Sequence, residues 1–253
     1  MPEKSNVLFF EQNNPMKTIK LNPFRPLDKK YSIYNDVLSH CEKPSVGNGR
    51  YTDVHETSHF ISSSLRKGRM GYNAFYILHD DAVIIKEPPT TIGEVAEYIP
   101  ENLRGYRYKL YFVEQRRYWD EQPLYIAEEW NCYTLGGMCA VDDYNHKREL
   151  ERTDAVSGMF EFMVYSTALA MCVEDKCPEY WEKNTQFRRF IQYRMDTSSM
   201  IFAIGREIPQ FKSLSSDKLY QTWHNSEEGK EFQKFIDKYF TNEEPIRLGF
   251  DYL

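Results

Sequence analysis

The feature that most constrains the fold is the pattern after Pro100, where almost the whole chain is suited to helices. Apolar residues recur at helical spacing, and short polar or proline-containing segments divide the recurring stretches. The predicted helices cover residues 105–119, 123–141, 147–175, 185–207 and 216–240. Most of the β-structure must therefore come from the part of the chain before Pro100.

That earlier part carries the signals for strands. The run YNAFYILHDDAVIIKEPP has two β-rich stretches around a His-Asp-Asp turn, which predicts a hairpin, and the run NVLFF near the N-terminus is also strand-like. Thr91 and Glu94 have the spacing of a capping box, so a short helix is expected after the hairpin. We predict an α+β fold that is helix-rich, with a small early β-sheet or hairpin and a helical C-terminal part.

Length and composition indicate a soluble globular protein. The chain has 253 residues, with 41% hydrophobic and 28% charged residues. We expect residues 1–50 to form an N-terminal extension that packs on one domain made by residues 51–253. The net charge of −6 disfavours nucleic acid and anionic membranes as partners.

Three further observations concern the compartment. The longest nearly uncharged apolar run, FMVYSTALAMCV, is too short to span a bilayer, so no membrane span is predicted. The N-terminus lacks the basic and apolar regions of a signal peptide, which favours the cytoplasm, although a leader removed from the chain stays open. Five cysteines without a CxxC spacing favour a reducing compartment, with a local bridge between Cys172 and Cys177 as the alternative.

The segment TDVHETSHFIS holds the strongest functional signal. His55 and His59 are four residues apart, so a helix over residues 51–66 places both imidazoles on one face, one turn apart. Two imidazole nitrogens can then ligate a single Zn²⁺. Glu56 follows the first histidine and can polarise and deprotonate a zinc-bound water as a general base. The alternative is a solvated helix with two incidental histidines.

This segment resembles the HExxH zinc metallopeptidases, the zincins. Thr52 and Ile61 fit the extended pattern of that group, whereas Asp53 departs from it and could instead accept a hydrogen bond from a ligand histidine. The resemblance implies a zinc-dependent enzyme that hydrolyses peptide bonds, with a peptide or protein as its substrate.

The resemblance also suggests where a third ligand lies. A catalytic zinc keeps three protein ligands, and in the gluzincin branch the third is a glutamate on a later helix. The helix PLYIAEEWNCYTLGGMCAV is apolar nearly all round, yet it carries Glu128 and Glu129, and buried carboxylates need a metal or a charged partner. The projection of this helix places Glu129 nearer a possible solvent edge. Glu128 and Tyr133 match the Glu-x-x-x-x-Tyr arrangement of several such peptidases, although Cys132 stands where many gluzincins have aspartate.

The resulting hypothesis is a gluzincin-like metallopeptidase in which Zn²⁺ is bound by His55, His59 and Glu128, with Glu56 as the catalytic base. Glu129 is the second choice for the third ligand, and His79, His146 and His224 are weaker ones. An alternative function is a catalytically silent zincin-like scaffold that acts as a protein-binding module, and a further one is a helical interaction protein without metal.

Overall fold

The structure is a computed structural model that describes residues 16–27, 32–212 and 214–240. Helices surround one three-stranded antiparallel sheet with strand order β1-β3-β2, formed by Ile19–Lys20, Asp81–Lys86 and Tyr72–Leu78 respectively. The predicted helix-rich α+β class, with its β-structure early in the chain, is therefore confirmed. The strand-like run NVLFF lies outside the described residues.

The predicted hairpin is formed by β2 and β3. Their register pairs Tyr72 with Lys86 and Tyr76 with Ala82, and a bulge follows Tyr76. The turn passes through His79, where the backbone takes a positive φ of 55°. Strand β1 adds to the other side of β3 through Ile19 and Ala82, so the segment before residue 50 contributes directly to the sheet.

The α-helices follow one another with short connections. They are α1 Ile33–Ser39, α2 Arg50–Arg66, α3 Ile92–Glu97, α4 Arg116–Trp119, α5 Leu124–Asn145, α6 Ala155–Lys176, α7 Pro178–Lys183, α8 Thr185–Gly205, α9 Leu214–Asn225 and α10 Glu227–Tyr239. Two 3₁₀ turns cover Glu101–Leu103 and Pro209–Phe211, and a π-helix covers Lys109–Glu114.

Several of these helices match the sequence pattern closely. Helix α2 corresponds to the predicted helix 51–66, and α8 corresponds to 185–207. Helix α3 begins with a complete capping box, in which the Thr91 side chain accepts from the Glu94 amide and Glu94 accepts from the Thr91 amide.

The remaining helices differ from the prediction in their limits. The predicted helix 105–119 consists of the π-helix followed by the single turn of α4. The predicted helix 147–175 begins only at Ala155. The predicted helix 216–240 is divided at Ser226, whose side chain caps the amide of Gly229 and starts a second helix.

Helix α5 is longer than predicted because its polar end is buried and paired. The sequence DDYN indicates a loop, yet Asp143 lies in the interior and accepts from Arg50 Nε at 2.8 Å and from Arg148 Nη1 at 2.8 Å. These two cations neutralise a carboxylate that could not otherwise remain inside the protein.

The core is centred on α5 and α6, and a glycine lets α2 approach α5 closely. A Cβ at Gly136 would lie 3.2 Å from the Tyr51 carbonyl oxygen, so a larger residue would require a shift of a few tenths of an ångström between the two helices. Trp130 is fully buried nearby and donates to Ser198 Oγ on α8 at 2.9 Å. This packing fixes the α5 side chains that face α2.

Helix α6 contains the apolar run FMVYSTALAMCV, for which no membrane span is predicted. By length and composition the helix could cross a membrane, and 94% of its most apolar window is buried inside the protein.

The five cysteines are buried as free thiols, including Cys172 and Cys177 at the end of this helix.

Candidate metal centre

Helix α2 presents His55 and His59 to the first two turns of α5. The two Nε2 atoms lie 3.2 Å apart, and the ring centroids are separated by 4.9 Å. The four-residue spacing on one helix therefore produces the predicted pair of converging imidazoles. Both rings are largely covered by protein, with 14% and 19% of their side-chain surface exposed.

Glu129 completes a three-residue group with these histidines. Its Oε2 atom lies 3.5 Å from His55 Nε2, and its Oε1 atom lies 3.4 Å from His59 Nε2. Ligand atoms that bind one tetrahedral Zn²⁺ at its usual bond lengths are about 3.3 Å apart. The three side chains fit that spacing, and one ligand atom from each falls within 4.8 Å of the others.

Glu128 occupies a different place from the one predicted. Its Oε1 atom contacts His59 Nδ1 at 2.9 Å, on the side of the ring away from His55, and its Oε2 atom accepts from Arg66 Nη1 at 3.1 Å. The preference for Glu128 over Glu129 therefore does not match the geometry. Neighbouring residues on a helix point about 100° apart, so only one of the two carboxylates can face the Nε2 atoms.

The expectation that Glu129 lies near a solvent edge is wrong, because it is only 3% exposed. The hydroxyl groups of Tyr111 on the π-helix and Tyr125 on α5 approach its carboxylate. Burial, followed by the charge of Glu129, raises the pKa of both phenols. The sequence alone does not point to Tyr111, because its position depends on the π-helix and no local pattern indicates one.

The electrostatics of the group are strongly coupled. Burial alone would raise the pKa of Glu129, but the imidazoles of His55 and His59 beside its carboxylate hold that pKa well below its usual range. Burial likewise opposes a charge on His59, yet Cys132, Glu128 and Glu129 around the ring raise its pKa well above the ordinary value. In addition, Glu129 Oε2 is buried and has no hydrogen bond of good geometry within the described ranges. A divalent cation suits these donor atoms because it attracts all three at once.

Tyr133 packs against the imidazole ring of His55. Its ring meets His55 edge to face at a centroid distance of 4.4 Å, and its hydroxyl oxygen accepts from Arg107 Nε at 3.1 Å. The ring fits over Gly158, where a Cβ would come within 2.5 Å of it. The position of Tyr133 is therefore set by three different elements of the fold.

Glu56 is half-buried beside the histidines. In the part of the chain that the structure describes, no side chain or backbone group forms a hydrogen bond or ion pair with its carboxylate. No structural contact therefore competes with the Glu56 carboxylate acting as an acid or base.

The remaining sequence candidates lie away from this group. Asp53 accepts from the amides of Gly47 and Asn48 at 3.0 Å each, so it orders a loop instead of a ligand histidine. His79 lies in the β2–β3 turn, and His146 caps the end of α5 beside Asp142. His224 packs on Tyr220 in α9.

Comparison of the chain with protein-family models, curated proteins and solved structures finds no match. The resemblance to the zincins consequently stays a prediction that rests on the HExxH residues and on the geometry around them.

Proposed function

We propose that the protein is a zinc-dependent metallopeptidase whose metal ligands are His55, His59 and Glu129. The observation that carries the proposal is the convergence of two Nε2 atoms and one buried carboxylate at mutual distances of 3.2 to 3.5 Å. Two imidazole nitrogens and a carboxylate can each offer a lone pair at this point, and this donor set favours a cation between them.

Bound zinc supplies Lewis acidity, which acidifies water and polarises a carbonyl group. Glu56 takes the proton from the attacking water and passes it to the leaving amine as the C–N bond breaks. The free Glu56 carboxylate suits that role, since no structural partner competes for it among the described residues.

Two further residues support the reaction. Glu128 accepts a hydrogen bond from Nδ1–H of His59, which favours the tautomer in which Nε2 carries the free lone pair. Arg66 compensates the buried charge of Glu128. Arg107 donates to the oxygen of Tyr133, so the phenolic proton remains available for the carbonyl oxygen of a substrate.

The proposal is tested by metal analysis together with Glu56→Gln. We expect about one zinc per chain, and hydrolysis of a peptide library that falls about 10²- to 10⁴-fold in Glu56→Gln while the zinc is retained. Glu101→Gln, which changes an exposed glutamate in a 3₁₀ turn, is the matched control and should keep full activity.

Two outcomes would contradict the proposal. Stoichiometric zinc without hydrolysis of any peptide would favour the silent protein-binding scaffold. Absence of stoichiometric zinc, together with a melting temperature that chelator does not change, would favour a helical interaction protein without metal.

A further inference from the structure

The segment 104–119 has an inner and an outer face with different surroundings. On the inner face, Tyr111 and Phe112 are buried, and the Tyr111 ring packs edge to face on Phe162 at 4.8 Å. The Tyr111 hydroxyl approaches Glu129, so this segment forms one wall of the candidate metal centre. A π-helix is rare, and its single turns are frequent at functional sites.

The outer face carries four exposed apolar or aromatic side chains, which we call the exposed stripe. The exposed fractions are 84% for Tyr106, 41% for Leu110, 60% for Val113 and 63% for Tyr118. Leu110 and Val113 flank the buried Tyr111 and Phe112 in the π-helix, whereas Tyr106 lies in the preceding turn and Tyr118 in α4. Soluble proteins seldom expose neighbouring large apolar side chains unless something binds there.

Most of the exposed charged groups within residues 104–119 are positive. Four exposed cations, Arg104, Lys109, Arg116 and Arg117, accompany one exposed acid, Glu114, and the exposed acids Glu101 and Glu121 flank the segment. Lys109 pairs with Glu114 at 3.4 Å. The three arginines have no ion-pair partner among the described residues. These arginines are therefore available to pair with carboxylates of a ligand.

We infer that the exposed stripe and its arginines form a docking site for an acidic polypeptide with apolar side chains. Tyrosine and arginine are the residues most enriched at the energetic centres of protein interfaces, which favours a polypeptide. The apolar side chains pack on Leu110 and Val113, and the carboxylates meet Arg104, Arg116 and Arg117. That the docked polypeptide is a substrate of the adjacent centre rests on the proposed function.

The test measures binding of a labelled random copolymer of glutamate and tyrosine to the full chain by fluorescence anisotropy. We expect saturable binding that weakens with salt and is about tenfold weaker or worse in the double variant Arg116→Glu/Arg117→Glu. Val113→Ser should also weaken it without changing the salt dependence. The matched control Lys218→Glu/Lys234→Glu makes the same change in net charge at exposed positions of α9 and α10 and should bind as the natural protein does.

The inference is overturned if both double variants lose affinity equally, since that result reports only net charge. It is also overturned if vesicles of phosphatidylcholine with phosphatidylserine, or an oligothymidylate, bind more tightly than the copolymer. Melting curves establish that each variant is folded. The binding is measured with zinc and with chelator, so copolymer binding without any zinc or hydrolysis would uphold the docking site and reject the proposed enzyme.

Discussion

Two buried histidine clusters in this protein have similar compositions but different contacts at their ring nitrogens. His40 on the end of α1 has an interior side chain, and its Nδ1 lies 2.7 Å from the Asp36 carbonyl oxygen and 2.9 Å from the Tyr76 hydroxyl. Its Nε2 lies 2.8 Å from Asp80 Oδ1. Each ring nitrogen of His40 therefore meets oxygen atoms that can accept a hydrogen bond from an N–H of the ring.

The candidate metal centre has a different arrangement. The Nε2 atoms of His55 and His59 face each other and the Glu129 carboxylate. A neutral His59 that donates from Nδ1 to Glu128 leaves at most one proton, on His55 Nε2, among these three groups. A histidine beside an aspartate or glutamate is thus no indication of a metal by itself. The feature that separates the two clusters is the convergence of two imidazole nitrogens and a carboxylate, which need a cation or a proton between them.

The largest expected effect comes from removing one histidine from each cluster and comparing the two variants. We expect His59→Ala to lose stoichiometric zinc and all hydrolysis, because a primary ligand is removed. His40→Ala should retain zinc but lower the free energy of unfolding by about 2 to 4 kcal/mol, since Asp36 and Tyr76 lose a buried partner. Metal analysis and urea unfolding measure both variants. Zinc loss in His40→Ala would show that the clusters are not independent.

A smaller effect is expected within the metal centre itself. Glu128→Gln should weaken zinc binding by about 10- to 100-fold, which is typical of losing the partner of a ligand histidine. Glu129→Gln should weaken it considerably more, because a charged ligand becomes neutral. Competition with a chelator of known affinity measures both. The reverse order would restore Glu128 as the ligand.

The smallest effect concerns the buried carboxyl group of Glu87, which lies near Arg66. Burial raises the pKa of Glu87 to about 8, against opposing contributions from the Leu124 amide and Arg66, and Glu128 adds to the rise. A folded-state pKa above the unfolded value gives stability that is complete below about 4.5 and is lost as the pH rises through about 8. The natural protein should therefore lose about 1 kcal/mol or more relative to Glu87→Gln across that window. Urea unfolding of both proteins at matched zinc measures the difference. Parallel stability curves would contradict the assignment.

The sequence was sufficient for features that depend on local spacing. The separation of His55 and His59 determines their shared face, and Thr91 with Glu94 determines a helix start. Which glutamate faces the histidines was not predictable, because it depends on how α5 is rotated against α2. That rotation depends on packing between residues far apart in the chain, such as the approach of Gly136 to Tyr51, where an added Cβ would lie 3.2 Å from the Tyr51 carbonyl oxygen.

The predicted limits of the helices were wrong for the same reason, since they depend on contacts between residues far apart in the chain. Helix α5 continues past Val141 because Arg50, from another helix, neutralises Asp143. The approach of Tyr111 to Glu129 likewise requires a π-turn that single-residue preferences do not reveal.

One imidazole of this protein is held from both sides by consecutive residues of a single helix, with Glu128 at Nδ1 and Glu129 near Nε2 of His59. Inserting or deleting one residue between Glu129 and Gly136 would turn both acids by about 100° relative to the glycine contact and remove them from the ring together. Length changes in this stretch of α5 should therefore be far more harmful than changes in the loop after Asn145, where the chain has left the helix.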